Sequence, residues 1–272
     1  MMGMPKIRTL PQALTIATSD SGGGAGIQGD IKAMAANGVF GLSVVVAITA
    51  QNTTTVSRIH AVPSDVITAQ LDAVFGDFAI TAVKTGMLHS AEIVRTVADY
   101  LRTRGPIRLV VDPVMVSSTG VRLLEPAAVK AMINDLLPLA EVVTPNVPEA
   151  EALTGMRIAT IDDARAAAQK IRQYGCRAVL IKGGHLSQAP ATDVLFDGAS
   201  WTEIPGEWID SPHTHGTGCA YSAAIAAHLA TGADLVSAVR AAKTYITGAI
   251  RRGLAIGHGK GPMNLLYRLE EA

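Results

Sequence analysis

The segment His213-Thr214-His215-Gly216-Thr217-Gly218-Cys219 stands directly before an Ala-rich helical run, Ala220–Ala230. Its two glycines let backbone N–H groups converge, and the helix start adds partial positive charge. Together they make a cradle for an anion, such as a phosphoryl group whose charge must be held in a transition state. Cys219 falls at the helix N-terminus, where a thiol tends to become more acidic, so it is a candidate base for a hydroxyl nucleophile. A small residue packed under the loop is an equal reading, since free cysteines are often buried. In Thr144-Pro145-Asn146-Val147-Pro148-Glu149, an Asn and a Glu three residues apart follow a strand and open a helix. Their oxygens suit Mg2+, directly or through water. An N-cap with a capping-box carboxylate fits the same spacing equally well. Asp112, in Asp112-Pro113-Val114-Met115, ends a strongly apolar strand. It is a turn former or, beside Glu149, a holder of Mg2+ or its waters. Lys84 and Lys182 also end strands. Lys182-Gly183-Gly184-His185 would bring an ammonium and free amides to phosphates, against the plain alternative of a solvated lysine.

A second glycine cluster, Thr18-Ser19-Asp20-Ser21-Gly22-Gly23-Gly24-Ala25-Gly26, joins the first strand to its helix, and Gly24–Gly29 matches GxGxxG. A dinucleotide site would also need an acidic residue roughly 20 residues on, at the end of strand two. That strand ends Thr49-Ala50-Gln51-Asn52, without a carboxylate. A purely structural tight turn is one alternative, and the better reading is a close-packed loop beneath a small substrate. Nothing matches GxxxxGK[ST], HExxH or GxSxG, which sets aside Walker-type ATPases, zincins and common serine hydrolases. Gly257-His258-Gly259-Lys260-Gly261 lacks the P-loop spacing and its Ser/Thr.

These residues need a frame, and the pattern supplies one. Short Val/Ile runs at Leu14–Ala17, Val44–Thr49, Ala82–Thr85, Leu109–Asp112, Val142–Pro145 and Ala178–Lys182 alternate with helical stretches. The stretches are Gly26–Asn37, Ser64–Phe75, Ala91–Thr103, Pro126–Leu137 and Asp162–Tyr174. Apolar strands separated by helices imply βαβ units, a mostly parallel central sheet and helices on both faces. The expected fold is α/β, with three layers α/β/α in a single domain over residues 1–272. Asp193–Asp197 and Ser200–Ile204 flank Gly198 and predict a hairpin at the sheet edge. Two Ala-rich helices follow, Gly218–Ala230 and Leu235–Arg251, and the stretch from Gly253 to Ala272 carries no clear pattern. Ligands of such sheets bind beyond the C-terminal ends of the strands. Ser19–Gly26, Gln51–Asn52, Lys84–Met87, Asp112–Gly120, Thr144–Glu149 and Lys182–His185 all fall there.

Composition limits the partners. Of 272 residues 49% are apolar, which excludes intrinsic disorder. Lys plus Arg number 23 and so do Asp plus Glu, so the balanced charge argues against nucleic acid or an anionic membrane. No apolar run is long enough for a membrane span, no signal core stands at the N-terminus, and the two cysteines, Cys176 and Cys219, build neither a disulfide framework nor a zinc site. A cytoplasmic protein is expected.

In order along the chain, Ser19–Lys32, Thr49–Thr53, Lys84–Leu88, Asp112–Met115, Thr144–Glu149 and His215–Cys219 resemble the hydroxymethylpyrimidine/phosphomethylpyrimidine kinases of thiamine biosynthesis. These are members of the ribokinase-like superfamily. The resemblance runs from about residue 13 to about residue 230, each motif weak and the ordered set specific. It implies transfer of the ATP γ-phosphate to the hydroxymethyl oxygen of 4-amino-5-hydroxymethyl-2-methylpyrimidine, then phosphorylation of the monophosphate to the diphosphate. It implies that Gln51 binds the aminopyrimidine, that Ala25, Met87 and Val114 wall the ring, and that Asp30 lies close by. Gly216, Thr217 and Gly218 would form the anion hole, with Cys219 where sugar kinases carry an Asp base. Asn146 and Glu149 match an NxxE element that supports Mg2+, and Asp112 and Lys182 would lie near metal and phosphates. A homodimer is implied as well. Independently, the donor and acceptor of Gln51 suit an aminopyrimidine edge. Gly29, Thr85 and Ala220-Tyr221 depart from the family pattern, and Tyr221 bears on the packing that positions Cys219. The nearest rival is a pyridoxal kinase of the same superfamily, whose substrate also has a heteroaromatic ring and a hydroxymethyl group. A non-catalytic vitamin or nucleotide sensor is opposed by the intact cradle, NxxE pair and base; a dehydrogenase is opposed by the missing ribose carboxylate.

Overall fold

Alternating apolar residues along each central strand face two different cores, and this alternation builds the protein. The computed structural model describes residues 9–115, 123–184 and 191–270; Gly120 and His185, at the ends of two segments singled out above, lie outside them. Strands β1 (Gln12–Asp20), β2 (Phe40–Gln51), β3 (Val56–Ala61), β4 (Ala82–Thr85), β5 (Arg108–Val111), β6 (Val142–Val143), β7 (Ala178–Ile181), β8 (Asp193–Phe196) and β9 (Trp201–Ile204) form one sheet in the order β3-β2-β1-β4-β5-β6-β7-β8-β9. Pairings from β2 to β7 are parallel; β3, β8 and β9 join antiparallel at the two edges. Leu14, Ile16, Val83, Val111, Val143 and Val179 enter one core; Ala13, Ala82, Val110, Val142 and Leu180 enter the other. The first face is covered by α2 (Ser64–Asp77), α3 (Ala91–Arg102), α4 (Pro126–Ala131), α5 (Val147–Thr154) and α6 (Ile161–Arg172), and the second by α1 (Gly26–Ala36), α7 (Thr217–Ala230) and α8 (Leu235–Arg251). The expected three-layer α/β/α arrangement is present. Among the described residues, no helix is long and apolar enough to cross a membrane.

Helix α7 is buried on nearly every side, from Ala220 to Ala227. Its run of small residues allows α1, α8 and the central strands to approach it at once. The hairpin around Gly198 forms as expected, with Gly198 at φ 96°. The sequence Pro126–Leu137 does not form one regular helix. It passes from α4 into a π-turn, Met132–Leu136, and a 3-10 turn, Leu137–Leu139. Pro138 has no N–H to return to the carbonyl four residues earlier, so the regular ladder cannot continue. Strand β6 stops at Val143 rather than Pro145 for a related reason, although Pro145 still accepts a hydrogen bond from the Lys182 amide at 2.8 Å.

The chain after Gly253 packs against the α7–α8 side. Met263, Leu265 and Tyr267 are buried there, and the Tyr245 hydroxyl donates to the Leu265 carbonyl at 2.7 Å. Beneath the sheet's C-terminal edge, Lys84 of β4 pairs with Asp30 of α1 at 2.7 Å, and neither side chain is exposed. The Thr15 hydroxyl of β1 donates to the same Asp30 oxygen at 2.6 Å. Lys84→Met should therefore strand a buried carboxylate and lower the unfolding free energy by about 3–5 kcal/mol. Urea denaturation reads this directly. A loss under about 1 kcal/mol would show that the pair is not the buried tie described here.

Candidate active site

The C-terminal ends of β1, β2, β4, β5, β6 and β7 open into one cavity of about 760 Å3. Gln51, Ala25, Met87, Val114, Asp112, Asn146, Glu149, Lys182, Gly216, Thr217, Gly218 and Cys219 all line it. Asp30 does not. It is fully buried behind the wall in its pair with Lys84, so its place is beneath the ring site and not on it.

At one end of the cavity, Gln51 closes β2. The Ser21 hydroxyl accepts from the Gln51 amide at 2.9 Å and donates to its carbonyl at 2.6 Å, tying strand end to glycine-rich loop. The Thr49 hydroxyl donates to the Gln51 side-chain oxygen at 3.3 Å. Thr18 donates to the Met87 carbonyl at 3.0 Å and so fixes the opposite wall. Gly26, at φ 55°, lets α1 start against β1: a Cβ there would lie 2.4 Å from the Thr18 carbonyl oxygen.

The cradle forms at the start of α7. Gly216 is its N-cap in the left-handed region, at φ 84°. A Cβ on Gly216 would lie 2.0 Å from the Gly24 carbonyl oxygen, so the two glycine loops touch here through bare backbone. A Cβ on Gly218 would lie 3.1 Å from the Lys182 ammonium, which places that charge over the helix start. Lys182 pairs with Asp112 at 2.9 Å and lies 3.9 Å from Glu149. Burial alone would discharge Lys182; the carboxylates of Asp112 and Glu149 overcome it and hold its pKa above the ordinary value.

Asn146 and Glu149 form the full capping box of α5. The Asn146 amide donates to Glu149 Oε2 at 2.8 Å, and the Glu149 amide donates to Asn146 Oδ1 at 2.9 Å. The helix-capping reading of this spacing is thus realised, while both residues still line the cavity. Burial, reinforced by the charge of Asp112 and opposed by Lys182, pushes the Glu149 carboxyl up to about 7. Hard oxygen donors with a deficit of positive charge fit Mg2+, which commonly takes one or two carboxylates and completes its shell with phosphates and water.

Cys219 departs from its expected acidity. Burial outweighs the helix start and pushes the thiol up to about 12, with Lys84 opposing and Asp112 and Asp30 adding. Lys84 meets burial too, but the carboxylates of Asp30 and Asp112 raise its pKa and keep the ammonium. Two features escaped the sequence. Asp20 accepts from His215 across 195 residues of sequence, a contact that no local pattern announces. Tyr221, next to the cradle, donates at 2.8 Å to Asp193, which also pairs with Lys243, so the unusual Tyr is anchored away from Cys219.

A three-layer α/β/α fold with an anion cradle at the strand ends places this chain among the ribokinase-like phosphotransferases. The phosphomethylpyrimidine kinase family matches residues 20–264, and the chain belongs to that family. It is 51% identical over 260 residues to a hydroxymethylpyrimidine/phosphomethylpyrimidine kinase of Rhizobium meliloti, covering 94% of this chain and 97% of that protein. It is 48% identical over 258 residues to the thiamine biosynthesis bifunctional protein of Geobacter sulfurreducens, covering 95% of this chain and 53% of that protein. Among solved structures, an ADP complex of Bacillus subtilis pyridoxal kinase superposes with a TM-score of 0.89 at 38% identity, over 96% of this chain and all of that one.

Glu149 titrates from an ordinary value of 4.5 when unfolded to about 7 when folded. A raised carboxyl pKa stabilises the fold below the unfolded value, and that contribution is lost as pH rises through the folded value. Glu149→Gln keeps the capping acceptor. Relative to the parent, its stability without metal should rise between about pH 4.5 and pH 7, by on the order of 1 kcal/mol per pH unit. Thermal melts across that window check this; a difference that does not change with pH contradicts it.

Proposed function

We propose that the chain transfers the ATP γ-phosphate to the hydroxymethyl oxygen of 4-amino-5-hydroxymethyl-2-methylpyrimidine, and then phosphorylates the monophosphate to the diphosphate, in thiamine biosynthesis. The observation that carries this reading is the two-ended cavity. Gln51, Ala25, Met87 and Val114 line it together with the Gly216–Cys219 cradle and Lys182, in a chain of the phosphomethylpyrimidine kinase family. The first end suits a flat aminopyrimidine: Gln51 supplies a donor and an acceptor, and the apolar residues cover the ring faces. The second end suits a transferring phosphoryl group. Backbone N–H groups of the cradle and the Lys182 ammonium stabilise its charge when it is between donor and acceptor. A 760 Å3 cavity has room for both substrates at once.

Each residue then has a role. Gln51 orients the ring so that the hydroxymethyl oxygen faces the cradle, with Asp30 acting from behind the wall through Lys84. Lys182 and Asn146 serve the nucleotide phosphates, and Asp112 and Glu149 would hold Mg2+, which neutralises phosphate charge when bound. Cys219 takes the hydroxyl proton as the hydroxymethyl oxygen bonds to the γ-phosphorus and the bond from that phosphorus to the bridging β-phosphate oxygen breaks, which releases ADP. Burial holds its thiol protonated even with Lys84 opposing, so Cys219 acts as base only after its own proton has passed to water. A homodimer, on the strength of the resemblance, and a cytoplasmic chain with residues 1–272 as one kinase domain, on composition and pattern, complete the proposal.

Steady-state kinetics separate the two ends. Gln51→Leu should raise the pyrimidine KM on the order of tenfold, the factor for an unpaired buried polar group of the ligand, with the ATP KM retained. An unchanged pyrimidine KM removes Gln51 from the ring site. Cys219→Ala should cut kcat by on the order of 10²–10⁴ while ATP binding persists. Near-normal turnover would show that another group receives the proton.

A further inference from the structure

Asp20 and His215 line the cavity, yet neither has a part in the chemistry above. Asp20 closes β1 and is 3% exposed. Its carboxylate accepts from the Gly22 amide at 2.8 Å, from the Ala25 amide at 2.9 Å and from His215 Nε2 at 3.2 Å. His215 is 6% exposed and immediately precedes Gly216 of the cradle. Its own amide donates to the Gly261 carbonyl at 3.2 Å. The imidazole packs where Gly24 lacks a side chain: a Cβ on Gly24 would stand 2.6 Å from His215 Cδ2. One carboxylate therefore fixes Ala25, at the ring end, and the residue before Gly216, at the phosphoryl end.

We propose that Asp20 and His215 are a positioning pair that sets the distance between the ring wall and the anion cradle, and thereby aligns the acceptor hydroxyl with the phosphoryl group. The idea rests on the kinase reading and adds to it two residues that act through Ala25 and Gly216. The geometry demands such a tie. The glycine-rich loop and the cradle loop come from opposite ends of the chain and meet through bare glycine backbone, which alone fixes little. An alignment error of about 1 Å is enough to cost catalysis on the order of a hundredfold. The bond is charge-assisted and shielded from water, the setting in which one hydrogen bond weighs most. Burial works against the Asp20 charge, but His215 and the Ala25 and Gly22 amides more than offset it and hold its pKa below the ordinary value. With Asp20 ionised, Nε2 must carry the proton that it shares.

A double-mutant cycle on the full chain tests the proposal. His215→Leu removes the donor, Asp20→Asn removes the charge, and His215→Gln restores a donor near the Nε2 position. The cycle uses whichever alcohol the parent enzyme phosphorylates, so a parent inactive on the pyrimidine refutes the substrate reading without touching the pair. Each single loss should lower kcat on the order of tenfold to a hundredfold, with the ATP KM within about twofold. The double variant should lose no more than the worse single one, because both remove the same tie. His215→Gln should recover most of kcat, a recovery that a purely structural role would not require. Single variants within about twofold of parental kcat, multiplicative losses, or no rescue by Gln in a variant with a parental melting curve would each overturn the pair.

Discussion

Charge buried at the C-terminal edge of the parallel sheet is the constraint on which this structure depends. Removing an isolated carboxylate or ammonium from water costs several kcal/mol even after relaxation. Lys84 with Asp30 and Lys182 with Asp112 meet that cost pairwise, at 2.7 and 2.9 Å. The first pair joins α1 to β4, with Lys84 in the cavity wall and Asp30 behind it. The second borders the cavity and stands over the start of α7. Every other feature of the site follows from where those charges can be tolerated. At Gly216 the Gly24 backbone leaves no room for a Cβ, and at Gly218 a Cβ would crowd the Lys182 ammonium at 3.1 Å. Cys219 is held as a thiol because burial outweighs the helix start. The Glu149 carboxyl is pushed up to about 7 because it is buried, with the charge of Asp112 adding to the effect.

The same arrangement explains how one cavity serves two ligands. Its apolar and amide-bearing end is made by β1, β2 and β4 with the loop after β1 and by Val114 after β5. Its charged end is made by β5, β6, β7 and the start of α7. The two halves meet where Gly24 touches Gly216, and the Asp20–His215 bond crosses that seam. A kinase gains from such division. The acceptor is selected by shape and hydrogen bonding, while the transferring group is recognised by charge alone.

Much of this was legible in the sequence. Central strands buried on both faces carry continuous Val/Ile runs, and α8 was bounded at Leu235–Arg251 because its apolar face repeats at helical spacing. The site segments were legible because a parallel sheet delivers all its strand ends to one edge. Strand β3 was not. It is an exposed antiparallel edge, and Val56 and Ile59 fall three apart, so period-two alternation is missing. The chain after Gly253 was illegible because its buried residues, Met263, Leu265 and Tyr267, fall at alternate positions, a strand-like spacing, in a segment that joins no strand of the sheet and ends in a 3-10 turn, Tyr267–Leu269. Asp30 was placed too near the ligand because a sequence records that a carboxylate is present, not that a lysine 54 residues away will bury it. The thiol acidity of Cys219 failed for a similar reason: the helix start is local and visible, the burial is tertiary.

The central claim is that this cavity selects an aminopyrimidine alcohol and carries it through two phosphorylations. A competition reaction tests it most directly. The purified protein is incubated with Mg-ATP and equal hydroxymethylpyrimidine, its monophosphate and pyridoxal, and the products are identified by mass. The account predicts pyrimidine diphosphate with little pyridoxal phosphate. Dominant pyridoxal phosphate would leave the fold and cradle standing and contradict the Gln51 ring site.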